Sequence, residues 1–410
     1  MNFTPEQQKA ISLRDRNILV SAAAGSGKTA VLVARIIGRI MDKKQPVDID
    51  RLLVMTFTKA AADQMRERIF DAIEEKRKEN PFDAHLQKQS ALVHHAKITT
   101  IHGFCLDILR NHFHEIGLDP DFRVGDEGEC RLMKQDVLEK VLEAAYETGE
   151  PEFLTMTESL AVKKSDRALE TMILKLHEFS MSYPKQEEWL AHCKDMYAAA
   201  SEDRFEALFW VKGLLADIKQ QLNEILERLR QLLMQTEAPE GPYMYRSAIA
   251  QDVSSVEQLC MTDRFCSMQR QFSTLAFMTL GRERKDGAFV DPEKKEAVRN
   301  GRNQCKKLLQ KIAGDFFQDT PKEAVLLLQE SSGNVSALAD ITLAFSRAYA
   351  EAKRNKNIVD FNDLEHLSLM VLENGKDTTA REYREFFEEI YVDEYQDSNL
   401  VQETLLGLIS

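Results

Sequence analysis

No apolar run in this 410-residue chain approaches the ~18 residues that a membrane-spanning helix needs. The nearest, Val31–Ile40, is interrupted by Arg35 and Arg39. The first residues, Met1-Asn2-Phe3-Thr4-Pro5, supply neither a basic stretch nor an apolar one, so no secretion signal is expected. The six cysteines (Cys105, Cys130, Cys193, Cys260, Cys266, Cys305) form no C-x-x-C pair and no regular framework. That argues against a zinc site and a disulfide scaffold, and fits a reducing, cytoplasmic setting without a membrane. An excess of positive charge is also missing: 54 Lys and Arg face 67 Asp and Glu, for a net charge of −13. Such a chain does not coat nucleic acid by bulk attraction, although a local groove that grips a strand stays compatible with it. What remains is a globular composition, 43% hydrophobic and 30% charged, with length for two or three domains.

Against that background one stretch stands out. The apolar run Asn17-Ile18-Leu19-Val20 leads through Ser21 into Ala22-Ala23-Ala24-Gly25-Ser26-Gly27-Lys28-Thr29, and a helical pattern follows from Val31 to Ile37. Strand, small-residue loop and helix start in this order gather backbone N–H groups at the positive end of a helix dipole, where a phosphate chain fits. Lys28 then reaches the terminal phosphates and the Thr29 hydroxyl ligates Mg²⁺. Ala22 occupies the position that is usually the first glycine, while Gly25 and Gly27 keep the backbone freedom on the lysine side. The expected ligand is ATP with Mg²⁺.

Periodicity divides the chain into three. Residues 1–118 alternate strand and helix: Thr4 as N-cap with Pro5 and Gln7 opens a helix, Leu52–Thr56 and Lys97–Ile101 are strands, and a helix follows each. Residues 119–336 read as all helical, the clearest run extending from Val211 to Leu233 at spacings of three and four, and Ser331-Ser332-Gly333-Asn334 is expected to end the block. Residues 337–410 return to strand and helix. Their strand Ile390-Tyr391-Val392 ends on Asp393 and Glu394, the pair that an NTPase needs to hold the metal and to orient or deprotonate water. A plain strand cap is the alternative for an isolated pair. Lys28 and Asp393 lie near opposite ends of the sequence and must meet at one ion, so the helical block is an insertion in a discontinuous parallel-sheet domain.

Several motifs together resemble superfamily 1 DNA helicases of the UvrD/Rep type. They are Phe3-Thr4-Pro5-Glu6-Gln7, the Ala22–Thr29 loop, Thr56-Phe57-Thr58-Lys59-Ala60-Ala61-Ala62 with Gln64–Arg68, Thr100-Ile101-His102-Gly103-Phe104, and Val392-Asp393-Glu394-Tyr395-Gln396-Asp397. Within the family, the loop and the large insertion look most like the AddA component of bacterial ATP-dependent helicase/nucleases of the AddAB type. The resemblance implies an α/β fold: a RecA-like P-loop sheet (domain 1A, residues 1–118 and 337–410) interrupted by an all-helical domain 1B (119–336). It implies that Gln7 reads adenine, that Gln396 senses the γ-phosphate and links hydrolysis to DNA grip, that Thr56, Phe57, Thr58 and Lys59 contact single-stranded DNA, and that His102 contacts the strand or relays between it and the nucleotide. Each has a plainer alternative: Gln7 as capping partner of Thr4, Gln396 as a surface amide, Phe57 as core, His102 as a loop histidine. Lys59 stands where many relatives carry Asn. Asp360-Phe361-Asn362-Asp363-Leu364 also looks like a family signature, with helix capping by Asn362 or Asp363 as one role and DNA contact as another. The basic residues Arg282, Arg284, Lys285, Lys294, Lys295, Arg299, Arg302, Lys306 and Lys307 read as a solvated surface or, alternatively, a duplex contact.

The implied activity is that of the AddA-type component of an ATP-dependent 3′→5′ helicase/nuclease in double-strand-break repair. It acts on single-stranded and duplex DNA, and its heterodimer partner is the B-type helicase/nuclease component. A stand-alone helicase without nuclease, or a nucleotide-gated DNA-binding module without turnover, are the alternatives. No second motor domain, arginine finger or nuclease cluster can be located in these residues, so weak ATP–Mg²⁺ binding without unwinding is expected of them alone.

Overall fold

The computed structural model describes residues 3–23, 25–160, 166–198, 201, 204–283 and 289–410. Ala24, Arg284 and Lys285 lie outside the described residues. The chain forms two compact units, Met1–Leu190 with Ala339–Ser410, and Ala191–Leu338.

The first unit is built on a three-stranded parallel sheet. Its helices before the second strand are α1 (Pro5–Ser12), α2 (Lys28–Ile40), α3 (Lys59–Glu79) and α4 (Ala84–Leu92), with β1 (Leu52–Thr56) between α2 and α3. Then come β2 (Lys97–Thr100), α5 (Ile101–His112), β3 (Arg123–Val124), α6 (Glu127–Thr148), α7 (Pro151–Leu160), α8 (Arg167–Ser180) and α9 (Gln186–Ala198). The second unit holds α10 (Phe209–Glu237), α11 (Arg246–Cys260), α12 (Phe265–Ser273) and α13 (Pro292–Phe316). The 35-residue helix α14 (Pro321–Asn355) begins there. The chain closes with β4 (Ile358–Val359), α15 (Phe361–Asn374), α16 (Thr379–Phe386), β5 (Glu389–Val392) and α17 (Leu400–Ile409).

The strand order is β2-β1-β5, all parallel, with Thr56 opposite Thr100 and Met55 opposite Val392. Every residue of β1 is buried, as expected for a strand covered on both faces. Its side chains alternate: Leu52 and Val54 join Ile36, Ile40, Met65, Ile69 and Ile98 on one face. Leu53 and Met55 join Phe104, Ile108, Val371, Leu372, Leu405 and Ile409 on the other. The period-2 pattern of one strand thus serves two layers of helices, α2 and α3 against α5, α15 and α17. The sheet is small and the chain mostly helical.

Two features differ from the sequence reading. Residues 17–20 carry no strand; they have no ladder partner among the described residues, and Leu19 is 79% exposed. The helix expected to stop at Ser331–Asn334 runs through them unbroken, because Ser, Gly and Asn each lower helix propensity by at most ~1 kcal/mol and no proline intervenes. By compactness, α6, α7 and α8 belong to the first unit. They are tied there by the β3–β4 ladder, by Gly125 N donating to Val359 O at 2.9 Å, and by the buried His177–Ser346 contact of 2.7 Å.

In the second unit α10 buries Val211, Leu215, Ile218, Leu222, Ile225, Leu226, Leu229 and Leu232 along one face, the stripe its spacing predicts. Arg302, counted among the basic surface residues, is instead buried at 3% exposure. Its guanidinium forks onto Asp252 at 2.5 and 3.1 Å and donates to Met278 O. Lys295 pairs with Glu283, Arg299 with Glu296, Lys294 with Glu240, and Lys306 lies over the Phe277 ring. Those charges are largely answered by neighbours within the same unit.

Candidate functional site

Parallel strands end side by side, and here the loops after β2, β1 and β5 leave the same edge of the sheet. The register puts Thr56 level with Thr100, and Asp393 N extends the ladder by donating to Met55 O at 2.9 Å. His102, the Phe57–Lys59 turn and the Asp393–Glu394 pair therefore stand in a row. At about 4.8 Å between strands, the outer two ends are about 10 Å apart. Ligand sites of open α/β sheets form at this edge.

The loop before α2 is brought to the β5 end of the row. Arg35 Nη2 and Arg39 Nε reach the Glu389 carboxylate at 3.1 and 3.0 Å, which pins α2 to the start of β5. Arg35 also donates to Ala10 O and Leu13 O, so α1 is fastened to the same helix. At the other end of α2, Lys28 Nζ stands 4.0 Å from Glu394 Oε2. Residues from the two extremes of the sequence thus face each other. Gln396 donates to the same Glu394 oxygen, and Glu394 holds a left-handed backbone at φ 55°. Asp393 Oδ1 accepts from Glu394 N at 3.1 Å.

The loop itself is exposed at Ser21, Ala22, Ala23, Gly25, Ser26 and Gly27. Gly25 and Gly27 adopt φ +76° and +84°, where a side chain is strained, and no heavy atom would meet a Cβ at Gly25 within 4 Å. An open concavity of backbone at a helix N-terminus, with Lys28 and Thr29 on its first turn and Asp393 and Glu394 opposite, is a donor set that suits a triphosphate and Mg²⁺. Gln7 closes the loop from the other side. Its Oε1 accepts from Thr4 N at 2.9 Å, completing a capping box, and its Nε2 donates to Ser26 O at 3.0 Å.

At the β1 end, Thr56 is buried and its hydroxyl donates to Thr58 O at 3.0 Å. Thr58 caps α3 by accepting from Ala61 N, and Lys59 is exposed. Phe57 is 66% exposed, so it is not a core residue. At the β2 end, His102 Nε2 lies 2.9 Å from Glu365 Oε1, and its ring stands 5.0 Å from that of Phe361.

Residues 3–410 match the UvrD/REP helicase N-terminal domain. The chain belongs to that family. It is 42% identical to the A-type component of the ATP-dependent helicase/nuclease of Lachnoclostridium phytofermentans, 41% to its counterpart in Acetivibrio thermocellus and 38% to that of Bacillus licheniformis. All of the chain is covered in each comparison, against 30%, 33% and 34% of those proteins, so it spans about a third of the length of these relatives.

One element of this UvrD/REP domain escaped the sequence. Glu365, only 3% exposed, accepts from His102, from Asn399 Nδ2 at 2.8 Å and from Gln402 Nε2 at 2.6 Å. Burial raises its pKa, but the hydrogen bonds from these three groups outweigh that and hold the carboxyl below its usual range. A glutamate four residues into a helix gives no signal; only its proximity to the Thr100–Phe104 motif in space reveals it. The neighbouring Asp360–Leu364 signature is a helix cap, made by Asp360 with Asp363 in a capping box and Asn362 uninvolved. Buried Lys353 reaches both carboxylates, at 2.9 and 2.6 Å.

Proposed function

We propose that this chain is the N-terminal motor part of the A-type component of an ATP-dependent 3′→5′ DNA helicase/nuclease that processes double-strand breaks in recombinational repair. The observation that carries the reading is the meeting of Lys28 with Glu394 beside an open glycine-bearing loop, on the edge that also presents Phe57 and His102. In this reading residues 1–118 and 337–410 are the RecA-like domain 1A and 119–336 its helical insertion 1B.

Ala22–Thr29 hold the phosphates, with Ala24 among them, and Gln7 reads the adenine edge. Thr29 and Asp393 hold Mg²⁺, which when bound neutralises phosphate charge. Lys28 leaves Glu394 for the terminal phosphate, and the freed carboxylate orients the attacking water and takes its proton. Gln396, already bonded to Glu394, registers that exchange. Phe57, Thr58, Lys59 and His102 track one strand, while buried Thr56 shapes the turn beneath them through its bond to Thr58 O; an exposed aromatic stacked on a base contributes about 1–3 kcal/mol. The partners are single-stranded and duplex DNA and a B-type helicase/nuclease component, in the cytoplasm.

The test is titration with a fluorescent ATP analogue in Mg²⁺ and with labelled single-stranded DNA, followed by ATP turnover with and without the strand. Lys28→Ala should weaken analogue binding at least about tenfold, the effect of roughly 1.4 kcal/mol. Equal affinity in the variant refutes the assignment of the loop. Turnover stimulated by the strand excludes a passive DNA-binding module.

A further inference from the structure

Glu365 is a buried anion whose donors come from two functionally distinct segments. One donor, His102, stands at the N-terminus of α5 with its side chain 34% exposed, on the edge assigned to the DNA strand. The others, Asn399 and Gln402, belong to the N-terminus of α17, which follows the Asp393–Asp397 segment directly. Asn399 divides its amide between two tasks. Its Oδ1 caps α17 by accepting from Gln402 N at 2.8 Å, while its Nδ2 binds Glu365. The carboxylate is carried on α15, fixed to α5 by Ser368 donating to Cys105 O at 3.0 Å. The three helix ends therefore share one charge.

A carboxylate this buried does not tolerate the loss of a donor without compensation. Among these partners, the His102 ring stands on the edge where, in the functional reading, the strand competes for it. When His102 turns toward a bound phosphate, Glu365 Oε1 is left with Gln402 alone, and the carboxylate must draw closer to the α17 end. The reverse holds as well: a shift of Asn399 and Gln402 changes what Glu365 offers to His102. Coupling through Glu365 requires this exchange to have two states, biased from both ends.

We propose that Glu365 is a positioning residue that couples strand binding at His102 to the nucleotide-side segment from Asp393 to Gln402. The inference rests on the functional reading above and deepens it. The coupling is measured as the change in affinity for labelled single-stranded DNA that a non-hydrolysable ATP analogue produces. In the unaltered chain this change is expected to be about tenfold, within the roughly 5–150-fold range of ordinary couplings. Glu365→Gln, which keeps shape and removes the charge, should reduce it to within twofold while each ligand taken alone binds within about threefold of its original affinity. Gln402→Leu acts from the opposite side of the same carboxylate and should do likewise, and it decides the matter if Glu365→Gln does not fold. Retention of the full change in a folded variant overturns the proposal, as does its absence from the unaltered chain. Failure of the unaltered chain to bind either ligand overturns the functional reading itself.

Discussion

Removing the Asp252 carboxylate should destabilise the second unit more than any surface charge change. Asp252 and Arg302 have side chains 2% and 4% exposed, and their bidentate contact is closed by Met278 O. Asp252→Ala strands a buried guanidinium, a loss of about 3–5 kcal/mol. With a urea dependence of about 2 kcal/mol per molar, the unfolding midpoint should fall by roughly 1.5–2.5 M. Trp210, packed against this core, reports the transition by fluorescence. The double variant Asp252→Leu with Arg302→Met should return close to the original midpoint, since both desolvation costs vanish together. DNA affinity should be unchanged in Asp252→Ala, because Arg302 does not face solvent. A midpoint drop under about 0.5 M for the alanine variant would refute the reasoning.

Two further outcomes are expected. Burial foremost, with Lys134 and Lys353 nearby, lowers the His177 pKa to about 4 from 6.5. The folded state therefore holds the neutral ring, and the unfolded state binds more protons between those values. Stability is complete above about pH 6.5 and is lost as pH falls toward 4, by about 3 kcal/mol in all. Urea midpoints across that range should fall in the unaltered chain and much less in His177→Asn; parallel curves would contradict the assignment. Gly27→Ala places a β-carbon at φ +84°, in ordinary contact with Gln7 Nε2 at 3.7 Å, so strain and not collision sets its cost. At about 1–2 kcal/mol for a left-handed residue, analogue affinity should drop roughly five- to thirtyfold with the fold retained. An unchanged titration would show that the loop does not need this geometry.

What the sequence makes legible is short-range. Thr4, Pro5 and Gln7 write a capping box within four residues, and the α10 stripe repeats at helical spacing, so both are readable without any fold. That Lys28 and Asp393 belong to one site is inferable only because their expected chemistry requires one ion, and the direct approach of Lys28 to Glu394 is what the structure adds. The misses are long-range. Leu19 and Val20 read as a buried strand because alternation and apolarity do not say whether a neighbouring strand exists to bond with. Ser331–Asn334 reads as a stop because weak helix formers look alike whether or not tertiary packing carries the helix through. Arg302 reads as surface because its partner, Asp252, is fifty residues away. Glu365 carries no motif at all: its meaning lies in three donors from two other helices.

In the proposed reading, the double engagement of Gln7 has a consequence for selectivity. Its amide cannot flip without surrendering both the Thr4 and the Ser26 bond, so oxygen and nitrogen keep fixed sides. One N–H and one lone pair remain uncommitted, in a set order. A base edge offering a donor beside an acceptor complements that order, whereas an edge with two acceptors meets its oxygen with an oxygen. Discrimination between purines would then be written by a helix cap instead of a pocket wall.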